Sequence, residues 1–314
     1  MAHDAPFVSR STGGYDKAAV GAMAVLHGAA LATLWLSPPT SPLVALALGS
    51  YAVRMFGITA GFHRYFAHRA YRTSRAFQFV LAFLGGASTQ NGAMWWAAHH
   101  RDHHRLSDQL GDLHSPVRDG FWWSHIGWIV HSSSTPIRRN NIKDFAHYPE
   151  LWWLDEHRLV APLVYGGTLF ALGGLDALLW GFCVSTVALW HGTFVINSLA
   201  HVWGTRRYAT TDASRNNFWL ALVTLGEGWH NNHHHYQSAA RQGFFWWEVD
   251  VSYLVLRGLA ACGVVWKLRE VPERVLRSGL LQPARAPQPP ATRGQDAAAS
   301  LLPTLHDDAA CAGQ

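Results

Sequence analysis

Three clusters of histidine hold most of this chain's capacity for chemistry: His63-Arg64-Tyr65-Phe66-Ala67-His68, His99-His100-Arg101-Asp102-His103-His104 and His230-Asn231-Asn232-His233-His234-His235. Positions i, i+3 and i+4 share one face of a helix, which aligns His100, His103 and His104, and likewise His230, His233 and His234. Each triplet can hold a metal from one helix face. His63 and His68 are five apart, about 140° around an α-helix of ~3.6 residues per turn, so they need a helix end or bend between them to converge. His201 follows Asn197 by one helical turn and adds an imidazole beside an amide able to hold a water. Any one cluster reads equally well as polar residues at a membrane surface. Two triplets, a further pair and a fourth site together point to a metal centre, and imidazole suits iron, zinc, copper and nickel alike.

The other histidines carry blander expectations. His27 lies mid-span and reads as packed or bonded within its helix, while His3, His147, His157 and His306 fall in loops or tails. His99 and His235 adjoin the triplets off their pattern and are expected behind the ligands. His114, His125, His131 and His191 have no assigned role. Asp102, Asp108, Asp112 and Glu227 are carboxylates that either fix imidazole rings through their second nitrogens or form ion pairs at the surface.

The elements that must position these groups are apolar helices. Residues 18–36 carry no formal charge, close to the ~20 residues that cross a bilayer, and a Ser-Pro-Pro-Thr-Ser-Pro turn leads to a second span over 43–62 that contains Arg54. A second apolar pair, 159–175 and 177–200, is broken at Gly173-Gly174-Leu175-Asp176. Segment 76–96 turns polar at Ser88-Thr89-Gln90-Asn91. A crossing there would put the first two histidine clusters on opposite faces, so it reads as interfacial or re-entrant. The expected fold is therefore an all-α membrane protein, with four transmembrane helices in two hairpins and a cytosolic helical cap that carries the histidine boxes. The organisation is an N-terminal segment 1–17, a membrane domain 18–282 with cap 63–158 and 201–282, and a disordered tail 283–314. Arginines crowd the histidine-bearing side and the hairpin turns carry only Asp176, which places that side in the cytoplasm.

Composition supports this class. Only 14% of residues are charged, against roughly 25% in soluble domains, with 16 Trp and 20 His. The cysteines Cys183, Cys262 and Cys311 form no CxxC pair, which argues against thiolate zinc, iron–sulfur clusters and a disulfide framework. A net charge of +5 is dispersed among Trp and His, so nucleic acid is not an expected partner. Histidine clusters outside the spans on one face also argue against metal transport, which wants ionisable ligands along a path inside them. Hydroxylation is the alternative oxidative chemistry, told apart by product analysis.

HRYFAH at 63–68, HHRDHH at 99–104, NSLAH at 197–201 and GEGWHNNHHH at 226–235 together resemble the acyl-CoA Delta-9 (stearoyl-CoA type) desaturases of the membrane di-iron superfamily, from about residue 43 to 270. The resemblance implies two iron ions, with O2 as co-substrate. One iron is implied to take His63, His68, His100, His104 and His234. The other is implied to take His103, His201, His230 and His233, with a water on Asn197. It further implies a cis double bond placed in a saturated long-chain acyl-CoA, with Asn91 and Trp96 lining the tunnel. The aromatic stretches Gln90–Trp96 and Phe244–Trp247 are candidate tunnel walls or interfacial anchors. His99 and Ala98 depart from the Asp and Arg of the animal enzymes near the acyl carrier, and so bear on the carrier rather than on the metal core. The chain shows no haem, iron–sulfur or dinucleotide signature. Electrons are thus expected from a separate ferredoxin or small b-type cytochrome with its reductase, beside a bacterial inner membrane whose lipid surrounds the spans.

Overall fold

The computed structural model describes residues 13–132, 137 and 139–281. His3, His306, Cys311 and the expected tail lie outside the described residues. Helix α1 (Lys17–Leu36) starts where the Asp16 carboxylate accepts hydrogen bonds from the Ala18 and Ala19 amides at 2.9 and 3.2 Å, a favourable N-cap. It ends at Ser37-Pro38-Pro39, and Pro42 opens α2 (Ser41–Phe56).

Helix α2 continues without a break as a π-helix, Gly57–Ala67, every residue of which is buried. Gly57 makes its close passage possible: a Cβ there would lie 2.6 Å from the Gly85 amide nitrogen of α3 (Arg75–Gly86). Helix α3 has twelve residues, about 18 Å at ~1.5 Å per residue, too short to cross a hydrocarbon core of about 30 Å. A turn at Thr89 and Asn91, both with positive φ, leads to α4 (Ala93–Leu106), which carries the second histidine cluster. Short helices α5 (Pro116–Asp119) and α6 (Pro149–Glu156) follow. Arg72–Thr73 (β1) and Val265–Trp266 (β2) pair antiparallel.

Helix α7 (Val160–Leu178) runs on through a π-helical segment, Leu179–Val184, into α8 (Ser185–Asn197). Among the described residues three helical stretches, rather than the four expected, are long and apolar enough to cross a membrane: Lys17–Leu36, Ser41–Ala67 and Val160–His201. The last has 42 residues and takes in both spans expected there, because helical bonding resumes at once after the non-helical pair Gly173 and Gly174. Gly166 lies against Leu178 and Phe182, and Gly181 against Leu169, so the chain doubles back at that pair.

The remaining helices are α9 (Phe218–Val223), α10 (His230–His235), α11 (Val251–Ala261) and α12 (Glu273–Arg277). The main core is rich in aromatic side chains. Phe62, Phe66, Tyr71 and Phe145 are at most 1% exposed, each burial worth roughly 1.5–3 kcal/mol. A smaller cluster gathers Tyr208, Ala239 and Phe244. Arg54 faces protein: it is fully buried and donates to the Ala87 carbonyl at 3.2 Å and to Thr186 Oγ1 at 2.7 Å.

Candidate metal centre

The two halves of the first cluster meet because their helix is π. In a π-helix residue i+5 sits above residue i, so the five-residue spacing that scatters His63 and His68 on an α-helix stacks them here. The His68 amide donates to the His63 carbonyl at 3.1 Å, and the two rings lie 4.8 Å apart. Helix α4 brings His100, His103 and His104, α10 brings His230, His233 and His234, and a 3-10 turn after α8 brings His201.

These nine residues form two groups whose nitrogens lie within 4.8 Å of one another: His63, His68, His100, His104 and His233, then His103, His201, His230 and His234. The division expected for the third cluster is reversed, since His233 joins the first group and His234 the second. Neighbours on a helix point about 100° apart, and the docking of α10 aims His233 at His63 and His104, at 3.0 and 2.9 Å between Nε2 atoms. His234 instead gives its Nδ1–H to Asp212 at 2.5 Å. The groups adjoin, with the rings of His104 and His234 4.4 Å apart.

The donor chemistry fits a cation. Glu227, Asp112, Asp108 and Asp212 lie against Nδ1 of His63, His103, His201 and His234, which leaves Nε2 of those rings as a lone pair. In the first group, Nε2 atoms face one another at 2.9–3.0 Å in a run from His68 through His100, His104 and His233 to His63. Adjacent donors around one ion at about 2.1 Å would stand about 3.0 Å apart. In the second, His201 and His230 face at 3.1 Å, and the buried Nε2 of His234 has no partner among the described residues. Burial first, and then the neighbouring imidazoles, hold His68, His100, His104, His230 and His233 well below the ordinary 6.5, so they are neutral donors. Burial lowers His234 to about 4, whereas Asp112 raises His103 against the pull of burial.

Loop 107–115 supplies two of the carboxylates. Asp112 accepts from the Asp108 and His114 amides, and Asp108, at a positive φ of 58°, accepts from Ser115 Oγ at 2.6 Å. Despite burial, the His201 hydrogen bond keeps Asp108 down at about 2. Of the four carboxylates named from the sequence, three stand behind rings, and Asp102 instead pairs with Arg105. Asp212 was not anticipated, because its loop carries no motif and only folding brings it to His234. A further network, also unanticipated, ties the fully buried Arg64 to Glu227 at 3.0 Å and Asp250 at 2.9 Å, with Gln242 donating to Glu227 at 2.8 Å. Arg64 therefore belongs to the site and not to the arginines on the surface.

A cavity of about 840 Å³ reaches His63, His100, His103 and His230. Asn91 and Trp96 line it, as do Gln90, Trp95 and Asn197. Phe244–Trp247 do not: Phe244 packs in the smaller core, and Trp246 is 84% exposed. His99 lies in the lining and gives its Nδ1–H to the Trp95 carbonyl at 2.8 Å, while His235 stacks on Tyr208 with rings 4.0 Å apart. His114 stacks on His103 at 4.3 Å. His27 donates to the Met23 carbonyl at 2.8 Å and contacts His191, which bonds His125, in a chain separate from both groups.

Comparison with known proteins identifies the family. The pattern that defines the fatty acid desaturase family matches residues 20–248. The chain is 35% identical over 261 residues to the hex-5-enoyl-(acyl-carrier protein) acetylenase of Moorena producens (strain JHB), covering 76% of this chain and 81% of that one. It is 38% identical over 228 residues to Delta-9 acyl-lipid desaturase 1 of Arabidopsis thaliana, 72% and 74% of the two chains. To the icosanoyl-CoA 5-desaturase of Limnanthes douglasii it is 36% identical over 250 residues, 78% and 70%. The matched region contains every histidine of both groups, and the chain belongs to the fatty acid desaturase family.

Proposed function

We propose that this membrane oxidoreductase introduces a cis double bond, at the Delta-9 position, into a long saturated acyl chain, with two iron ions, O2 and electrons from a separate donor. The observation that carries the reading is the pair of adjoining imidazole groups in the wall of a largely apolar cavity. In balance, two adjacent methylenes lose one hydrogen each, and O2 takes these with two external electrons and two protons to give two waters. Iron supplies the oxidising power that an unactivated methylene demands, which redox-silent zinc does not.

His63, His68, His100, His104 and His233 would hold one ion, and His103, His201, His230 and His234 the other. Asn197 would hold a water at the second. The carboxylates fix the rings, so that the donors stand ready without reorganisation. Trp96, stacked on His100 with rings 4.7 Å apart, and Asn91 orient the chain beside the donors. Met55, Ile58 and Phe194 line the same space and exclude water from it.

We read Val160–His201 as two crossings joined at Gly173-Gly174, for four in all. At ~1.5 Å per residue its 42 residues measure about 63 Å, twice the core of a bilayer. The histidine side is cytoplasmic by its arginines, in a bacterial inner membrane. Exposed Arg69, Arg72 and Arg118 offer an acidic ferredoxin or small b-type cytochrome a docking face. Expression in a host of known lipid profile, with mass spectrometry to locate any new double bond, tests the function. A new cis alkene that disappears in His103→Ala and His201→Ala is the expected result. A hydroxylated product, or no new product from iron-loaded protein, overturns it.

A further inference from the structure

The cavity is not closed on the side of the spans. Its lining includes Asp16, Ala19 and Leu26 of the first helical stretch and Leu163, Gly167 and Phe170 of α7, and Leu163 and Phe170 are also 69% and 53% exposed. Helix α1 packs on the 179–184 segment and on α8, and residues of α1 and α7 line the cavity from its two sides. The lining follows this stretch from the N-cap Asp16 to Leu26, ten residues or about 15 Å, which is half the ~30 Å core and so the depth of one leaflet. The same space reaches His63, His100 and His230.

Charge narrows the occupant. Arg158, exposed at the cap end of α7, is the only Lys or Arg among the described lining residues. Coenzyme A carries several phosphate charges and calls for several cations, whereas a lipid phosphodiester needs at most one.

We propose that the cleft between α1 and α7 is a lateral portal, through which the acyl chain of a membrane glycerolipid enters from the bilayer. The substrate is then lipid-bound rather than a soluble thioester, an inference that rests on the desaturase reading above. Arg158 meets the headgroup at the interface while the chain slides between the small residues Ala19 and Gly167 toward the imidazoles.

The test uses the iron-loaded, full-length protein in nanodiscs containing phosphatidylcholine with a diazirine midway along one acyl chain. Photolysis should label Met23, Met55 or Trp96; label confined to outward residues such as Val25 and Leu172 overturns the portal. In parallel, stearoyl phosphatidylcholine in the disc and stearoyl-CoA in solution are offered with an electron donor. Gly167→Phe fills open space at the cleft and should cut lipid desaturation by about tenfold or more with iron content retained. Gly28→Phe, equally open but off the cavity, should not. Desaturation of stearoyl-CoA but not of the lipid overturns the portal and leaves the desaturase reading standing. Failure with both substrates overturns the two together.

Discussion

Behind the five rings of the first imidazole group stands one carboxylate, Glu227, and that carboxylate is shared with the buried guanidinium of Arg64. Three of the four rings of the second group lean on carboxylates, Asp112, Asp108 and Asp212, and no ion pair to an arginine is seen for these carboxylates among the described residues. The first group thus gathers more neutral donors beside a guanidinium shared by two carboxylates, and the second gathers fewer donors beside three carboxylates. A cation would be held by number in one and by charge in the other.

The largest expected effect comes from removing a donor. His63→Ala and His201→Ala should each lower desaturation by about a thousandfold or more and reduce bound iron from about two ions per chain to about one. His233→Ala should empty the first group and His234→Ala the second. Mössbauer spectra that lose the same iron environment in both variants would break the division.

Carboxylate substitutions sharpen the contrast. Asp212→Asn should weaken the second group's metal about 10–100-fold, measured by competition with a chelator, with little change in thermal stability. Glu227→Gln should do the reverse: the metal is less affected, but Arg64 loses one of its two ionic partners, at a cost of about 1–3 kcal/mol in stability. Equal metal loss in the two variants would remove the distinction.

The smallest effect concerns what the groups share. Helix α4 feeds both, and its first turn is held by Asp155 of α6, which accepts from the Met94 and Trp95 amides at 3.0 and 2.8 Å. Gly92 leaves room for it, since a Cβ there would overlap the carboxylate. Asp155→Ala should cost about 1 kcal/mol and affect both metals alike. Burial raises the Asp155 pKa from the usual 3.8 to about 6, so the folded state prefers the protonated form. Its contribution is full below pH 3.8 and is lost as pH rises through about 6. The stability difference between wild type and Asp155→Asn should shrink across that range in thermal melts, and a flat difference would show that the charge is not buried.

Much of the centre was legible in the chain. The i, i+3, i+4 triplets needed only helical geometry to share a face, and α4 and α10 supplied it. The apolar runs read as helices because length and composition suffice for that. Asp108, Asp112 and Glu227 were visible as carboxylates near the clusters in sequence. Asp212 and Arg64 were not, because their roles depend on contacts across the fold. For Phe244–Trp247 the chain left tunnel wall and interfacial anchor both open, since aromatic composition does not say which side of a loop meets the cavity.

Residue type and spacing alone determined that nine imidazoles would be offered from apolar helices and that a metal was the economical reason for them. Only the tertiary structure decided how they are shared. The π-helix lets residues five apart stack, and no α-helical arithmetic anticipates it. The docking angle of α10 sends His233 and His234 to different groups, because adjacent side chains diverge and their partners arrive from distant segments.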